Sequence, residues 1–325
     1  MAGLIDSSKV SGVLSEADFK DDSLFKEITG ASAVLSLGRN IGNMPKGKAS
    51  IPIPQSLISV GWVEGESGKK PVADGAIGKE MLVAGKLAGI VLIPTDVIED
   101  SDIDLWESWI RPNAPAAFGA AIDAAALFGV NKPSTWTGFQ GGIVPQAKAK
   151  SMTVNAGDNL YDSILGVDGM VHKVNANGFS LNGWVGDSTI EAMLRAERDG
   201  TSGRPMLNSF LNPMTNVASY DIDGKKYYSL ENGAWADEDN NSLLIGGDFK
   251  QLIYSYRKEL EWKMSTDATV TLADGTTVNC FQQNVVAFLM EMRIAAAVLN
   301  PVTRKNPDGD TRFPFAVLTG GSNPV

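Results

Sequence analysis

Few side chains in this sequence have a type and spacing that could carry a reaction. The one histidine, His172, sits beside Val171 and Val174, and the one cysteine, Cys280, precedes an apolar run. Together they would suit a hydrolase, with a thiol nucleophile and an imidazole base. Without a second histidine there is no His-based metal cluster and no conventional His pair. His172 reads as a helix-surface or partly buried imidazole, and Cys280 as a small core residue. Asp100/Asp102 and Asp237/Glu238/Asp239 lack the glycine and spacing of a calcium loop. The glycine-rich stretches at 65–75 and 141–142 lack the Lys-Ser/Thr of a phosphate loop, and no G-x-G-x-x-G follows a strand. Glu291 with Arg293, and Glu261 with Lys263, are same-face strand neighbours suited to surface pairing. No catalytic, metal or cofactor-binding residue is expected, and the chain does not read as an enzyme.

The stretch that organises the chain runs from Lys79 to Val144. A long apolar segment over 81–93 is closed by Pro94, and its two glycines and that proline argue against a helix. Met81, Val83, Leu87, Val91 and Ile93 share a parity and would share one face of a single strand. A helical turn follows at 97–100, with Thr95 as its N-cap. From Ala114 to Phe128, Phe118, Ala121, Ile122 and Ala125 recur at helical spacing. Pro115 would fit its first turn, and Gly129 its C-terminal stop. Phe118, Ile122 and Ala125 are the expected core face of this helix.

The order and spacing of three pieces carry a family resemblance: Lys86-Leu87-Ala88-Gly89-Ile90-Val91, then Ile98-Glu99-Asp100-Ser101, then 122–129 (Ile-Asp-Ala-Ala-Ala-Leu-Phe-Gly). Together they resemble the central block of tailed-phage major capsid proteins, shell proteins whose fold is named after phage Hong Kong 97. The resemblance implies an α+β fold in which a strand feeds a long spine helix carrying an aspartate in its C-terminal half. It extends over roughly residues 40–318. Asn182-Gly183-Trp184-Val185, a helix, and Asp199 with Gly203-Arg204-Pro205 look like the axial domain. Gly247-Asp248-Phe249 looks like the return to the peripheral domain, and 281–284 with Glu291-Met292-Arg293 like the closing strand.

Composition agrees with a folded shell subunit. With 325 residues the chain can bury a substantial core across two domains. A hydrophobic content of 43% against 20% charged residues excludes wholesale disorder. A net charge of −10 with no basic run argues against a tight grip on nucleic acid phosphates. A single cysteine precludes an intrachain disulfide, which fits assembly in a reducing cytoplasm. No apolar run approaches a membrane span, and Asp6 with neighbouring serines does not suit a signal peptide.

The expected organisation follows from these readings. Residues 1–39, with scattered apolar positions from Leu4 to Ile28, form an N-terminal arm along a neighbour. Residues 40–80 form an extension-loop hairpin with strands at 49–54 and 58–64 and the signature Trp62-Val63-Glu64-Gly65 followed by Lys70-Pro71. Its intersubunit contact candidates are Ile51, Ile53, Ile58, Val60, Trp62, Glu64, Lys69 and Lys70. The type member of the family crosslinks its shell by a lysine–asparagine bond, but the sequence around Lys69 and Lys70 does not match that site. Residues 81–150 and 249–318 form the peripheral domain, 151–248 the axial domain and 319–325 a C-terminal tail. Within them, 158–174 reads as one helix, 190–198 as another, 252–264 as a period-two strand, 269–278 as a hairpin and 284–299 as mostly strand.

The resemblance implies self-assembly in hexamers and pentamers into an icosahedral shell around dsDNA, which is met by proximity alone. Implied partners are a separate scaffolding protein, since only about 39 residues precede the hairpin, a portal protein and a decoration protein. The implied location is the virion, after assembly in the host cytoplasm. An encapsulin-like compartment holding a cargo enzyme is the alternative reading.

Overall fold

The computed structural model describes residues 22–64, 69–72, 75–100, 106–139, 141–157, 159–187, 189–196, 209–211, 218–235 and 241–320. Two helices open it, α1 (Asp22–Ala31) and α2 (Ala33–Leu37). Ile28, Ala33, Val34 and Leu35 are fully buried, and α1 packs against the spine helix described below. Ile28 and residues 33–35 therefore pack into the subunit's own core. Their apolar residues looked scattered because their partners lie about ninety residues further on. Leu4, Ile5, Val10, Val13, Leu14 and Phe19 lie outside the described residues.

Three ribbons follow: β1 (Arg39–Asn43), β2 (Lys48–Pro54) and β3 (Ile77–Val83). β2 and β3 form an antiparallel hairpin from the pair Lys48–Val83 to Pro54–Ile77. The expected second strand at 58–64 is not a strand; that stretch belongs to the connection between β2 and β3. Its residues suit a strand, but no described segment of the chain supplies a ladder for it.

The anticipated strand over 81–93 is two strands. Ala84 breaks it, and β4 (Gly85–Pro94) continues into a different sheet. The break flips the parity. Leu87, Val91 and Ile93 face inward as expected, whereas Met81 is exposed and Leu82 buried. The turn of helix that follows, α3 (Thr95–Asp100), includes Thr95 as its first residue rather than its cap.

The spine is a π-helical turn at Trp106–Ile110, α4 (Arg111–Asp123) and a second π-helical turn at Ala124–Phe128. It starts earlier than Ala114, so Pro112 occupies the first turn and Pro115 lies inside the helix. Phe118, Ile122 and Ala125 are buried as expected, while Ala121 faces outward. Gly129 ends the spine at φ +77, and a Cβ there would stand 1.9 Å from the Gly141 carbonyl oxygen. The exit then enters an unanticipated short helix, α5 (Ile143–Ala149).

The middle of the chain supplies β5 (Thr153–Asn155), α6 (Leu160–Leu165), α7 (Met170–Ala176), β6 (Gly183–Asp187) and α8 (Ile190–Ala196). The single helix expected over 158–174 is thus two, interrupted between Gly166 and Gly169, and Val167 is 90% exposed. Next come β7 (Ser209–Leu211), β8 (Ala218–Ile222), β9 (Lys225–Leu230) and β10 (Ser242–Gly247). Asp223 and Gly224, both at positive φ, make the tight turn from β8 to β9.

The chain returns through β11 (Leu252–Ser265), the small hairpin β12 (Thr269–Thr271) and β13 (Thr277–Asn279), α9 (Cys280–Gln283), β14 (Val285–Val298) and β15 (Phe315–Thr319). One four-stranded sheet has the order β1-β11-β14-β4, and a seven-stranded sheet the order β5-β15-β10-β6-β9-β8-β7. β15 was expected with residues 249–318 in the spine's unit. It lies instead between β5 and β10, in the sheet built from 151–248. Residues Phe315 to Leu318 are fully buried there.

One hydrophobic core runs from the spine through both sheets, joining Phe118, Ile122 and Leu127 to Met292 and Ile294 of β14 and to Trp184 and Val317. Ile122 is 1% exposed within it. Ile122→Asp should bury a carboxylate with no partner and cost several kcal/mol. The expected outcome is an insoluble or protease-sensitive subunit; a soluble, assembling variant would show the face to be wrongly assigned.

Candidate functional site

The residues with chemical potential do not converge. His172 lies on the surface of α7, 3.5 Å from Asp168. Cys280 is buried at the start of α9, its backbone N–H donated to the Ala268 carbonyl. α7 packs on β10 and β15, whereas α9 packs on β13 and β14, so each belongs to a different sheet. Among the described residues, no three His, Cys, Asp or Glu side chains group as metal ligands.

What the fold does present is a hairpin with an apolar, uncovered connection. β2 and β3 lie on a second, smaller core of Met44, Leu82, Ala84, Ile253, Ala295, Ala297 and Leu299, which half-buries Ile51 and Ile53. These two candidates therefore already have a surface in their own subunit. Past Pro54 the picture changes. Ile58 is 74%, Val60 85% and Trp62 fully exposed. Glu64, Lys69 and Lys70 are exposed too. The root of the loop is tied down: Gln55 N–H donates to Ala76 O at 2.9 Å, Val302 N–H to Pro54 O, and Arg304 Nη2 to Ile58 O at 3.0 Å.

On the four-stranded sheet one ion pair crosses between strands and another lies within a single strand. Lys86 of β4 meets Glu291 of β14 at 2.8 Å, and Lys258 of β11 meets Glu261 at 2.6 Å. The Lys86 contact holds the Glu291 carboxyl below the usual carboxylate range. The expected Glu261–Lys263 and Glu291–Arg293 pairs do not form; cross-strand and bulge geometry select these lysines instead.

Asp123 is the polar exception inside the spine. It is fully buried, and its Oδ1 accepts from Ser32 Oγ at 2.7 Å and Val34 N–H at 3.0 Å. Its Oδ2 accepts from Ala33 N–H at 3.0 Å and Asn232 Nδ2 at 2.9 Å. Sequence reasoning placed an aspartate here without its partners. A lone acid in an alanine-rich apolar helix was the available signal.

A long helix crossing a sheet of long strands, a projecting hairpin and a second mixed sheet together form the Hong Kong 97-type shell fold, an α+β architecture. The model of the phage capsid family matches residues 11–303, and the chain belongs to that family. It is 26% identical over 243 residues to the major capsid protein of Staphylococcus phage 80alpha, a match covering 72% of this chain and 66% of that protein's length. Its structure matches a protein of Microbacterium phage Oxtober96 with a TM-score of 0.72 and 27% identity, over 98% of this chain and 100% of the other. It also matches one of Mycobacterium phage Cain with a TM-score of 0.74 and 20% identity, over 99% and 100%. Its role is that of a structural protein of a phage capsid.

The four donors around Asp123 set up a test. Asp123→Ala would leave these four donors without an acceptor, each costing about 1–3 kcal/mol where it stays buried and unsatisfied. Asp123→Asn would turn one acceptor into a donor facing two donors and should cost about 1–3 kcal/mol. Burial pushes the Asp123 carboxyl above its ordinary value, although the donors from Ser32, Val34, Asn232 and Ala33 pull it down. Folding therefore favours its protonation, so its contribution to stability falls as pH rises through the folded-state value. Melting curves of wild type and Asp123→Asn between about pH 4 and 7 should differ by that slope.

Proposed function

We propose that this chain is a major capsid protein that assembles as hexamers and pentamers into an icosahedral shell around dsDNA. The observation that carries this reading, beyond family membership, is the connection between β2 and β3. It holds Ile58, Val60 and Trp62 out in water from a root that is itself well tied. Exposing so much apolar surface is unfavourable for a lone subunit and useful only where a second surface covers it. In a shell that surface belongs to the next copy, and repetition over many copies makes a modest contact collectively strong.

In this reading residues 40–80 are the extension loop, and the spine with β4, β11 and β14 forms the peripheral part of the subunit. The seven-stranded sheet, including β15, forms the axial part nearest the symmetry axes. The role is structural rather than catalytic. Other copies of the chain are the principal partners, with a scaffolding protein, a portal protein and a decoration protein completing the particle. DNA is met without specific contacts, consistent with a net charge of −10. Assembly in the host cytoplasm and residence in the virion follow. Relatives among phage capsid proteins favour this reading over an encapsulin-like compartment.

The test removes the loop and spares the Gln55–Ala76 and Val302–Pro54 hydrogen bonds at its root. Replacing residues 57–75 by a short Gly/Ser connector leaves Ile51 and Ile53 on their own core, so the melting temperature should stay within a few degrees of wild type. Sedimentation and electron microscopy should then find monomers or isolated capsomers where wild type gives shells. Shells formed by the shortened protein would show that the lattice is held elsewhere.

A further inference from the structure

Arg293 is placed as though a partner were missing. It stands on β14 in register with Lys86 of β4 on one side and Lys258 of β11 on the other. Both lysines are committed, to Glu291 and Glu261 respectively. Among the described residues no carboxylate pairs with Arg293, and its Nε is buried without a hydrogen-bond partner. A buried donor left unmatched costs about 1–3 kcal/mol, and such groups are rare in folded proteins. A guanidinium's fork of donors fits a carboxylate in two-point contact.

The space beside it admits such a group. A groove of about 430 Å³ is lined by Asn43, Arg257, Lys258, Glu259, Glu261 and Arg293. It forms where β11 bulges, its register with β14 slipping on both sides of Lys258. β1 pairs with β11 only as far as Tyr256. From Arg257 to Glu261 that edge of the sheet therefore has no further strand among the described residues. The groove sets three cations against two carboxylates, and Glu261 is already held by Lys258. An incoming carboxylate meets a positive site next to an open strand edge.

We propose that this groove receives Glu64 from the projecting loop of a second copy of the chain, with Arg293 and Arg257 holding its carboxylate. The assignment rests on the reading that the loop lies on a neighbour, and it names the receiving surface. Glu64 is exposed and ends the stretch Ile58-Ser59-Val60-Gly61-Trp62-Val63, which suits a strand yet has no strand partner among the described residues. An extended segment of that kind joins an open edge through main-chain hydrogen bonds, and a charge pair fixes its register.

Charge reversal tests the pair in the full-length protein. Arg293→Glu and Glu64→Arg should each lose shell formation, read as the disappearance of the fast-sedimenting particle. Combining the two should restore it. A second measurement does not depend on those variants folding. Arg293→Lys keeps the charge and supplies an amine, so a zero-length carbodiimide should join position 293 to Glu64 of another copy in assembled particles, as peptide mass spectrometry would show. Shells at wild-type yield from either single reversal, failure of the combined variant to recover them although each single variant folds, or absence of the 293–Glu64 cross-link would overturn the assignment. The loop-replacement protein separates this from the broader reading. If it makes no shells while the reversals assemble normally, the loop binds a neighbour elsewhere. If it makes shells, the loop reading itself falls.

Discussion

The Asp123 carboxylate is the constraint on which the rest of the subunit depends. It ends α4 and takes hydrogen bonds from three consecutive residues, Ser32 to Val34, and from Asn232. A carboxylate without water needs donors at nearly every lone pair. The geometry meets that need by presenting the N-terminal amides of α2, which carry no intrahelical partner of their own. One side chain thereby fixes the start of the described chain, the spine and the turn after β9. Gly119, one turn before Asp123, lets the spine approach: a Cβ there would stand 3.0 Å from the Ala31 carbonyl oxygen. Two tyrosines extend the same tie, Tyr228 of β9 donating to Gly30 O at 2.6 Å and Tyr254 of β11 to Leu35 O at 3.1 Å. The short N-terminal helices are thus hydrogen-bonded to both large sheets.

That tie joins elements of both sheets. Their cores are continuous, and β15 closes the larger sheet after the chain has left the smaller one. The link from β14 to β15 is itself ordered by Arg312, which donates to the carbonyls of Asn300, Asn306 and Pro307 and to the Asn300 side chain. The loop between β2 and β3 carries a run of apolar residues that its own fold does not absorb.

How much of this was legible follows from the range of the interactions. Local periodicity and stop signals located the spine, its buried Phe118, Ile122 and Ala125, the Gly129 terminus, the buried β6 and the long strands β11 and β14. The failures share a cause. Ile58 to Glu64 has strand-forming residues, but a strand exists only where a partner supplies hydrogen bonds. The break at Ala84 is set by the pairing of β3 with β2 and of β4 with β14, which no window around Ala84 contains. Residues 28–35 looked too sparse in apolar groups to fold, and alone they would be. Their burial comes from α4, about ninety residues away. The orphan guanidinium of Arg293 was invisible for a related reason: spacing alone had matched it to Glu291, and a diagonal contact across the strands gives Glu291 to Lys86 instead.

A contact in which one copy's loop lies on the next copy's sheet is heterologous, so its geometry decides between a closed ring and an open filament. Rings of six and of five require the same two surfaces to meet at two different angles. A loop made of regular secondary structure would resist that difference, since helices and ladders have fixed geometry. The described part of this loop beyond Ser56 carries no helix or strand, while its root is held by Arg304 and by the Gln55–Ala76 hydrogen bond. The anchored root sets where the loop leaves the subunit, and in the proposed shell the unpaired stretch beyond it would absorb the change in angle. A charge pair at its end suits this division, because it fixes which residues meet while leaving the approach of the flanking apolar side chains adjustable. The loop's lack of a strand partner in the lone subunit, which misled local reading of the sequence, is thus the property that assembly in two ring sizes calls for.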